Sequence, residues 1–336
     1  MDAAVAVVIP TLAADAKLSE CLRSLANQTR RDFEVMIVDN SGAGLARRSC
    51  VADTGAVILE NSRNAGFGGA VNQAFRRSRA RYLATLNDDA VAHPGWLEAL
   101  VRAIERRPDV GMCASQVRLF AEPQLDSAGM MVARDGSSKQ RGHLRPPECF
   151  PVEEEVLFPS GSAALYRRAM LEEIGLFDED FFLYCEDTDL GLRARWAGWR
   201  CLYVPAAVVE HHYSHSAGRA SRLKAYYVER NRLFVLAKNF PAGLLAKAPL
   251  VSLARYAWHV WFLVQRRGSV ARFRLEGNGR WRMAWYVVRA HCVLLAHARS
   301  LWRKRQAIRR AARLSPKAYR RLLESHAISV RRIAEL

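Results

Sequence analysis

Short apolar runs alternate with segments of helical periodicity over the first ninety or so residues, and this alternation restricts the fold more than any other feature. Residues Val5–Ile9 form a β-branched run that ends at Pro10. Similar runs follow at 33–38, 56–59 and 82–86. Runs of this kind are typical of parallel strands buried on both faces. Strands that alternate with helices predict a doubly wound, mostly parallel α/β sheet.

Polar residues stand where these predicted strands end. Thr11 follows the first strand, Asp39 and Asn40 end the second, and Asp88 with Asp89 follows the strand at 82–86. Ligands of doubly wound proteins bind at the carboxyl ends of the strands. We therefore expect a binding site at this edge of the sheet.

Length and charge indicate two parts of different character. A chain of 336 residues is long enough for two domains at roughly 150 residues each. Residues 1–212 carry a net charge of −5, whereas residues 213–336 hold 27 basic and 4 acidic side chains and carry +23. Such asymmetry predicts a polyanionic partner for the second part alone, either a nucleic acid or an anionic membrane surface.

The second part is rich in Arg, Trp and Leu. Its stretches 244–264 and 283–302 are long enough to cross a bilayer, but charged residues and histidines interrupt both, which disfavours spanning. Helices with tryptophan beside arginine are typical of the membrane interface. The alternative is an ordinary helical subdomain with an aromatic core.

The cysteines and the N-terminus indicate the cellular compartment of the protein. The seven cysteines are odd in number and form no C-x-x-C pair, which favours a reducing environment. No signal peptide is recognised at the start of the sequence. The expectation is a cytoplasmic protein.

Several fragments, in this order and spacing, resemble family 2 glycosyltransferases of the GT-A fold. They are 8–11 (VIPT), 38–40 (VDN), 64–72 (NAGFGGAVN), 86–89 (LNDD) and 186–190 (EDTDL) followed by Arg193. The resemblance covers about residues 4–240 and is greatest to the bacterial branch with rhamnosyltransferases of cell-wall and surface-polysaccharide assembly. It implies a GT-A catalytic domain at 1–212, with a nucleotide-sugar half at about 1–110 and an acceptor half at about 111–212, followed by a basic helical region at 213–336.

The resemblance implies roles for acidic residues. Asp89 would bind Mg²⁺ or Mn²⁺, with Asp88 near the ribose or the metal's water shell, although Asn87 replaces the first acid of a strict D-x-D motif. His211 would complete the metal site, its alternative being a satisfied core or surface histidine. Asp187 would be the general base that deprotonates the acceptor hydroxyl, and Glu186 would assist in positioning.

Contacts with donor and acceptor are implied as well. Asp39 would accept the N3–H of uracil or thymine. The remaining residues implied at the donor are Pro10, Thr11, Asn64, Gly66, Gly68 and Arg230. Tight packing is the alternative for the glycines, and a solvated helix face is the alternative for Arg230. Ser160, Gly161 and Trp196 would border the acceptor, with the protein core as the alternative for the tryptophan.

The function implied is an inverting, metal-dependent transfer of a sugar from a dTDP- or UDP-sugar, with dTDP-rhamnose suggested by the branch. The acceptor would be a hydroxyl of a saccharide or lipid-linked saccharide. The protein would act peripherally at the inner face of the cell membrane. The alternative is a nucleic-acid-binding protein, but no nucleic-acid motif is recognised, so no such partner is expected. Whether the C-terminal helices pair two copies into a homo-oligomer is left open.

Overall fold

The protein is described here from a computed structural model that covers residues 3–49, 55–212, 221–275, 279 and 281–335. The chain divides into two compact units. The first comprises 1–130, 140–194 and 198–216, and the second comprises 131–139, 195–197 and 217–336. Composition places the boundary after residue 212, next to the segment 213–220, which lies outside the described residues. The sequence analysis places residues 131–139 and 195–197 in the first domain, whereas the structure groups them with the second unit.

The described strands number twelve. They are β1 (Val5–Thr11), β2 (Phe33–Asp39), β3 (Val57–Glu60), β4 (Tyr82–Leu86), β5 (Ala90–Ala92), β6 (Val110–Leu119), β7 (Leu125–Ser127), β8 (Met130–Val132), β9 (Ser138–Gln140), β10 (Glu154–Val156), β11 (Ala163–Arg167) and β12 (Arg200–His211). The main sheet has the order β10-β12-β6-β11-β4-β1-β2-β3, with β5 beside β12 and β7 beside β6. A separate two-stranded sheet is formed by β8 and β9.

The predicted parallel arrangement is confirmed in the first half of the sheet. Strand β1 runs parallel to both β2 and β4, and its residues Val5–Ile9 have no exposed surface. Strand β11 runs antiparallel to β4, so the sheet is mixed beyond that point. Strand β12 extends to His211, because it bulges at Val204 and then continues along β6 and β5.

Helices cover the sheet and form most of the second unit. They are α1 (Ala16–Ala26), α2 (Leu45–Arg48), α3 (Gly66–Arg77), α4 (Trp96–Glu105), α5 (Arg168–Ile174), α6 (Glu186–Trp196), α7 (Arg222–Asn239), α8 (Ala242–Leu245), α9 (Ala248–Val264), α10 (Gly268–Leu275), α11 (Trp281–Ala296), α12 (Ala298–Arg310), α13 (Pro316–Ser325) and α14 (Val330–Glu335). Asp15 begins α1 by accepting the backbone N–H of Lys17. Within the described ranges, none of these helices combines the length and the apolar composition needed to cross a bilayer.

A buried cluster of charges organises the second unit. Arg255 of α9 lies 2.6 Å from an oxygen of Asp135 and 2.7 Å from one of Glu229. Arg232 of α7 pairs with Glu229 as well, and its guanidinium also donates to Ser252 Oγ at 3.2 Å. The arginines oppose burial of the carboxylate and hold the pKa of Glu229 well below its usual range. The cluster therefore joins α7, α9 and the segment 131–139.

Gly66, the first residue of α3, sits where a side chain cannot. Its φ is +75°, and a Cβ built there would lie 2.1 Å from the carbonyl oxygen of Phe182. We expect Gly66→Ala to lower the free energy of unfolding by about 3 kcal/mol, because it combines left-handed strain with overpacking. Gly95→Ala is the matched control, since a Cβ at that position would meet no atom within 4 Å; its effect should stay under about 1 kcal/mol. Urea unfolding measures both, and equal effects would contradict the packing role.

Candidate active site

Three parallel strands bring their polar ends to one edge of the sheet. Thr11 lies directly opposite Asp39 in the register of β1 and β2, and Asp88 with Asp89 follows β4 on the other side of β1. Thr11 is buried, and its hydroxyl accepts the backbone N–H of Ala14 at 3.1 Å. Pro10 precedes it at the same strand end. The sequence thus correctly predicts that these residues share an edge.

The Asp39 carboxylate has a structural task in the first unit. One of its oxygens accepts the N–H of Ser41 and the other that of Ala46, both at 2.8 Å, which fixes the loop into α2. Burial opposes the charge, but the hydrogen bonds prevail and lower the pKa of Asp39. Each carboxylate oxygen has a second lone pair. The contact with a pyrimidine N3–H stays a prediction.

Asp89 and His211, the two predicted metal ligands, lie together in the interior. Their approach follows from the register of β12 with β5, which places His211 opposite Ala90. His211 Nε2 lies 3.1 Å from Asp89 Oδ1 and also 3.1 Å from the side-chain nitrogen of Asn87. Both predicted ligands are buried.

Asp126 is part of this site although sequence reasoning assigned no chemistry to its region. Its Oδ2 lies 3.0 Å from His211 Nδ1, and its Oδ1 lies 3.4 Å from His143 Nδ1. Asp126 stands in β7 and is buried. Two histidines hold its pKa well below the usual range despite burial. Asp126 and His211 are far apart in the chain, so the sequence does not show that they pair. The sequence signal was limited to an acidic residue inside a short apolar run.

The charges of this cluster suit a divalent cation. Burial disfavours a charged imidazole, yet the carboxylates of Asp126 and Asp89 outweigh it and raise the pKa of His211 to about 10. Burial and the Asp89 charge raise the pKa of Asp88 to about 6. Across the described ranges no three His, Cys, Asp or Glu side chains form a ready metal cage. The residues would fit Mg²⁺ or Mn²⁺ once His211 gives up its Nε2 proton, with ligand oxygens and water in the other positions.

The Asp187 carboxylate is held by hydrogen bonds at the start of α6. Its Oδ2 accepts the N–H of Gly161 at 3.0 Å, and its Oδ1 accepts the N–H of Thr188 at 2.6 Å. Burial raises the pKa of Asp187 while these bonds act to keep it charged. The predicted base and the predicted acceptor residue Gly161 therefore meet.

Glu186 beside it has a different environment. Its Oε2 is buried and has no hydrogen-bond partner. Burial and the neighbouring Asp187 charge raise the pKa of Glu186 well above its usual value. Two carboxylates whose surroundings differ in this way can be assigned different roles. Asp187 suits an anionic base, and Glu186 suits a protonated neighbour.

Residues 160–162 connect the two acidic centres. The N–H of Asn87 donates to the carbonyl of Ser162 at 2.9 Å, continuing the register in which Leu86 faces Ala163. The Ser160 hydroxyl lies 3.0 Å from that of Ser162. Gly161, between these two serines, donates its backbone N–H to Asp187. The predicted base Asp187 and the Asp88-Asp89 turn therefore lie at the same end of β4.

The loop before Glu186 is strained and packs on the glycine-rich helix start. Phe182, Tyr184 and Cys185 all have positive φ, between 62° and 68°. Strain of this kind concentrates at functional sites. Phe182 accepts the N–H of Phe67 at 2.9 Å and lies against Gly66.

Gly66 and Gly68 are accounted for by tight packing. A Cβ on Gly68 would lie 2.9 Å from Phe177 Cβ. Asn64 is exposed, and its side chain accepts the N–H of Gly66 at 2.8 Å. The contact of these three residues with a nucleotide stays a prediction.

Trp196 corrects the sequence analysis, because the prediction that it borders the acceptor is wrong. Its side chain is only 1% exposed and belongs to the second unit. The indole stacks on Tyr319 with ring centroids 3.7 Å apart, and the Arg309 guanidinium lies 3.6 Å from its centroid. Its N–H donates to the carbonyl of Asn239 at 2.8 Å. No face of the ring is open to a sugar.

Arg230 lies on α7, also in the second unit. Its guanidinium lies over the rings of Tyr227 and Phe234, 4.7 and 5.1 Å from their centroids. Stacking of this kind orders an arginine on aromatic faces. The predicted contact of Arg230 with the donor phosphates stays a prediction.

Comparison with known proteins decides the family. The family model described as "Glycosyltransferase like family 2" matches residues 3–234, well over half of the chain. The chain belongs to glycosyltransferase family 2. This family 2 glycosyltransferase is 32% identical over 247 residues to N-acetylglucosaminyl-diphospho-decaprenol L-rhamnosyltransferase of Mycobacterium tuberculosis, covering 66% of this chain and 80% of the relative. The resemblance seen in the sequence is confirmed.

Solved structures show the fold of this glycosyltransferase. The mannosyltransferase PcManGT from Pyrobaculum calidifontis, in complex with GDP-Man and Mn²⁺, matches with a TM-score of 0.51 and 19% identity over 93% of this chain and 86% of its own. GalNAc-T7 with UDP, GalNAc and Mn²⁺ matches with a TM-score of 0.55 and 15% identity over 70% of this chain and 48% of its own. The predicted GT-A fold is confirmed.

Proposed function

We propose that this family 2 glycosyltransferase transfers L-rhamnose, with inversion, from a pyrimidine nucleotide donor to a hydroxyl of a lipid-linked saccharide. The observation that carries the proposal is the placement of Asp187 at the same end of β4 as the Asp89–His211 pair, joined to it through residues 160–162. One centre suits a donor diphosphate and the other suits deprotonation of an acceptor.

The chemistry proposed for this chain's residues is a direct displacement. Asp187 takes the proton of the acceptor hydroxyl as its oxygen bonds to the anomeric carbon, and the bond from that carbon to the donor diphosphate breaks with its electrons leaving on the phosphate oxygen. Attack opposite to the leaving group inverts the anomeric configuration. The Gly161 N–H orients the carboxylate for this task.

A divalent cation is part of the proposal. Asp89 and His211 would hold it, and Asp126 would keep His211 oriented through Nδ1. When bound, the metal offsets the negative charge that develops on the leaving diphosphate. Both solved structures contain Mn²⁺, which supports this part.

The donor and acceptor are inferred from relatives and from Asp39. The name of the mycobacterial relative supports L-rhamnose as the sugar and a lipid diphosphate sugar as the acceptor. Asp39 at the end of β2 supports a uracil or thymine base, hence a UDP or dTDP donor. A lipid-linked acceptor supports action at a membrane surface. Nothing in the comparisons favours the nucleic-acid-binding alternative.

Calorimetric titration of UDP, dTDP and GDP, each with and without Mn²⁺ or Mg²⁺, tests the donor site. We expect binding of dTDP or UDP that depends on the cation. Tightest binding of GDP would contradict the role of Asp39, and equal binding with and without cations would contradict the role of the Asp89–His211 pair.

Replacing Asp126 with asparagine should weaken cation binding by about 10- to 100-fold, because the amide no longer fixes His211 as the carboxylate does. Electron paramagnetic resonance of free Mn²⁺, titrated with protein and dTDP, measures the affinity directly. Asp32→Asn makes the same chemical change at an exposed carboxylate, 52% accessible, and should leave the affinity unchanged. An Asp126→Asn affinity within about twofold of the original would contradict this positioning role.

A further inference from the structure

Helix α9 buries polar side chains together with Phe262, and its exposed face is wholly apolar. Ser252 and Arg255 are buried. The outward-facing side chains share one helical face and are all apolar: Leu250, Leu253, Ala254, Ala257, Val260, Trp261 and Val264. Of these, Leu250 is 71% exposed and Val264 is 77% exposed. A helix on the surface of a globular protein normally has the opposite arrangement.

The buried charges fix this orientation. Arg255 is held from inside by Asp135 and Glu229, and Tyr256 also donates to Glu229 at 2.5 Å. Turning α9 to hide its apolar face would expose Arg255 and leave two buried carboxylates short of a partner, which is strongly unfavourable. The outward apolar face is therefore built into the packing of the second unit.

The binding partner of the exposed apolar face of α9 must itself be apolar and extended. Residues 250–264 cover about 21 Å at 1.5 Å per residue. Contiguous exposed apolar surface of this kind marks a membrane or protein contact. Helix α11 shows a similar row, because Trp281, Trp285 and Leu295 are 78%, 61% and 75% exposed.

Charge decides between a membrane and a second copy of the chain. Lys247 before α9 and Arg266 with Arg267 after it are exposed, and α9 contains no acidic residue. Residues 213–336 hold 27 basic and 4 acidic side chains. A second copy would bring like charge to the same face, whereas an anionic leaflet attracts each basic residue near its surface. Trp261 near the end of the face is typical of the headgroup region.

We propose that α9 lies in the plane of an anionic bilayer surface, with its apolar face inserted among the lipids and its basic ends at the headgroups. The proposal deepens the proposed function and rests on it in one respect, because a lipid-linked acceptor is located at a membrane surface. Inserting Leu253 and Val260 removes apolar surface from water, while Arg255 stays paired inside the protein.

Vesicle sedimentation of the full chain tests the insertion. The original protein should bind phosphatidylcholine vesicles that contain phosphatidylglycerol, and Leu253→Glu with Val260→Glu should weaken that binding at least about tenfold. Val152→Glu is the matched control, because Val152 of the first unit is 60% exposed and Val260 is 62% exposed. It should bind as the original does. Circular dichroism melting checks that the double variant is folded.

Two outcomes would overturn the insertion. One is equal vesicle binding by the double variant and the original. The other is a dimer of the original chain, seen by sedimentation velocity, that the double variant dissociates; the face would then belong to a second copy. Titration of the double variant with dTDP and Mn²⁺ separates this proposal from the proposed function. Lost vesicle binding with normal nucleotide binding supports the insertion, whereas absent nucleotide binding in the original chain contradicts the transferase site alone.

Discussion

Replacing Asp187 with asparagine should lower the turnover of sugar transfer by a factor of about 10³, since the amide cannot take the acceptor proton. Nucleotide binding should stay within about twofold, because the change removes an interaction needed only in the reaction step. Initial rates at saturating donor and acceptor measure the first effect, and calorimetry measures the second. The new NH2 group would face the backbone N–H of Gly161 or of Thr188, which lowers stability. Urea unfolding of the variant therefore checks that it is still folded.

Glu186→Gln is the matched control for this experiment. Glu186 is adjacent and buried, but its Oε2 lacks a hydrogen-bond partner and its pKa is raised well above the usual value. A neutral amide imitates a protonated carboxyl, so turnover should fall by less than about tenfold. A large loss in Glu186→Gln together with normal turnover in Asp187→Asn would reverse the two roles.

Replacing Asp89 with asparagine should weaken cation-dependent nucleotide binding by about 100-fold or more, because it removes the carboxylate of the Asp89–His211 pair. Calorimetry with dTDP and Mn²⁺ measures the loss. Binding without the cation should change little, which distinguishes loss of the metal site from loss of the fold.

The neighbouring Asp88→Asn supplies the comparison for Asp89. Asp88 is more exposed than Asp89, and its side chain is hydrogen-bonded to Thr11. We expect a loss of no more than about tenfold from this change. Equal losses in both variants would show that the acidic pair acts as a unit and would contradict the assignment of Asp89 alone as ligand.

Local sequence patterns were sufficient for the parallel half of the sheet. Apolar runs such as Val5–Ile9 show a buried strand without reference to distant residues, and the polar residue after each run then falls at a shared edge.

Long-range pairing explains what the sequence did not reveal. The contact of Asp126 with His211 depends on β7 and β12 both lying beside β6, which no local pattern shows. The prediction for Trp196 was wrong for a similar reason, because this residue stacks on Tyr319 of α13, which is distant in sequence. The outward apolar face of α9 likewise depends on Asp135, which is distant in sequence.

The most direct measurement is a transfer assay with dTDP-rhamnose, Mn²⁺ and a lipid-linked N-acetylglucosaminyl diphosphate acceptor, followed by mass spectrometry and NMR of the product. We predict addition of one rhamnosyl residue, with the anomeric configuration opposite to that of the donor, and loss of the product in Asp187→Asn. No product from any dTDP- or UDP-sugar would contradict the proposed function, and a retained configuration would contradict direct displacement assisted by Asp187.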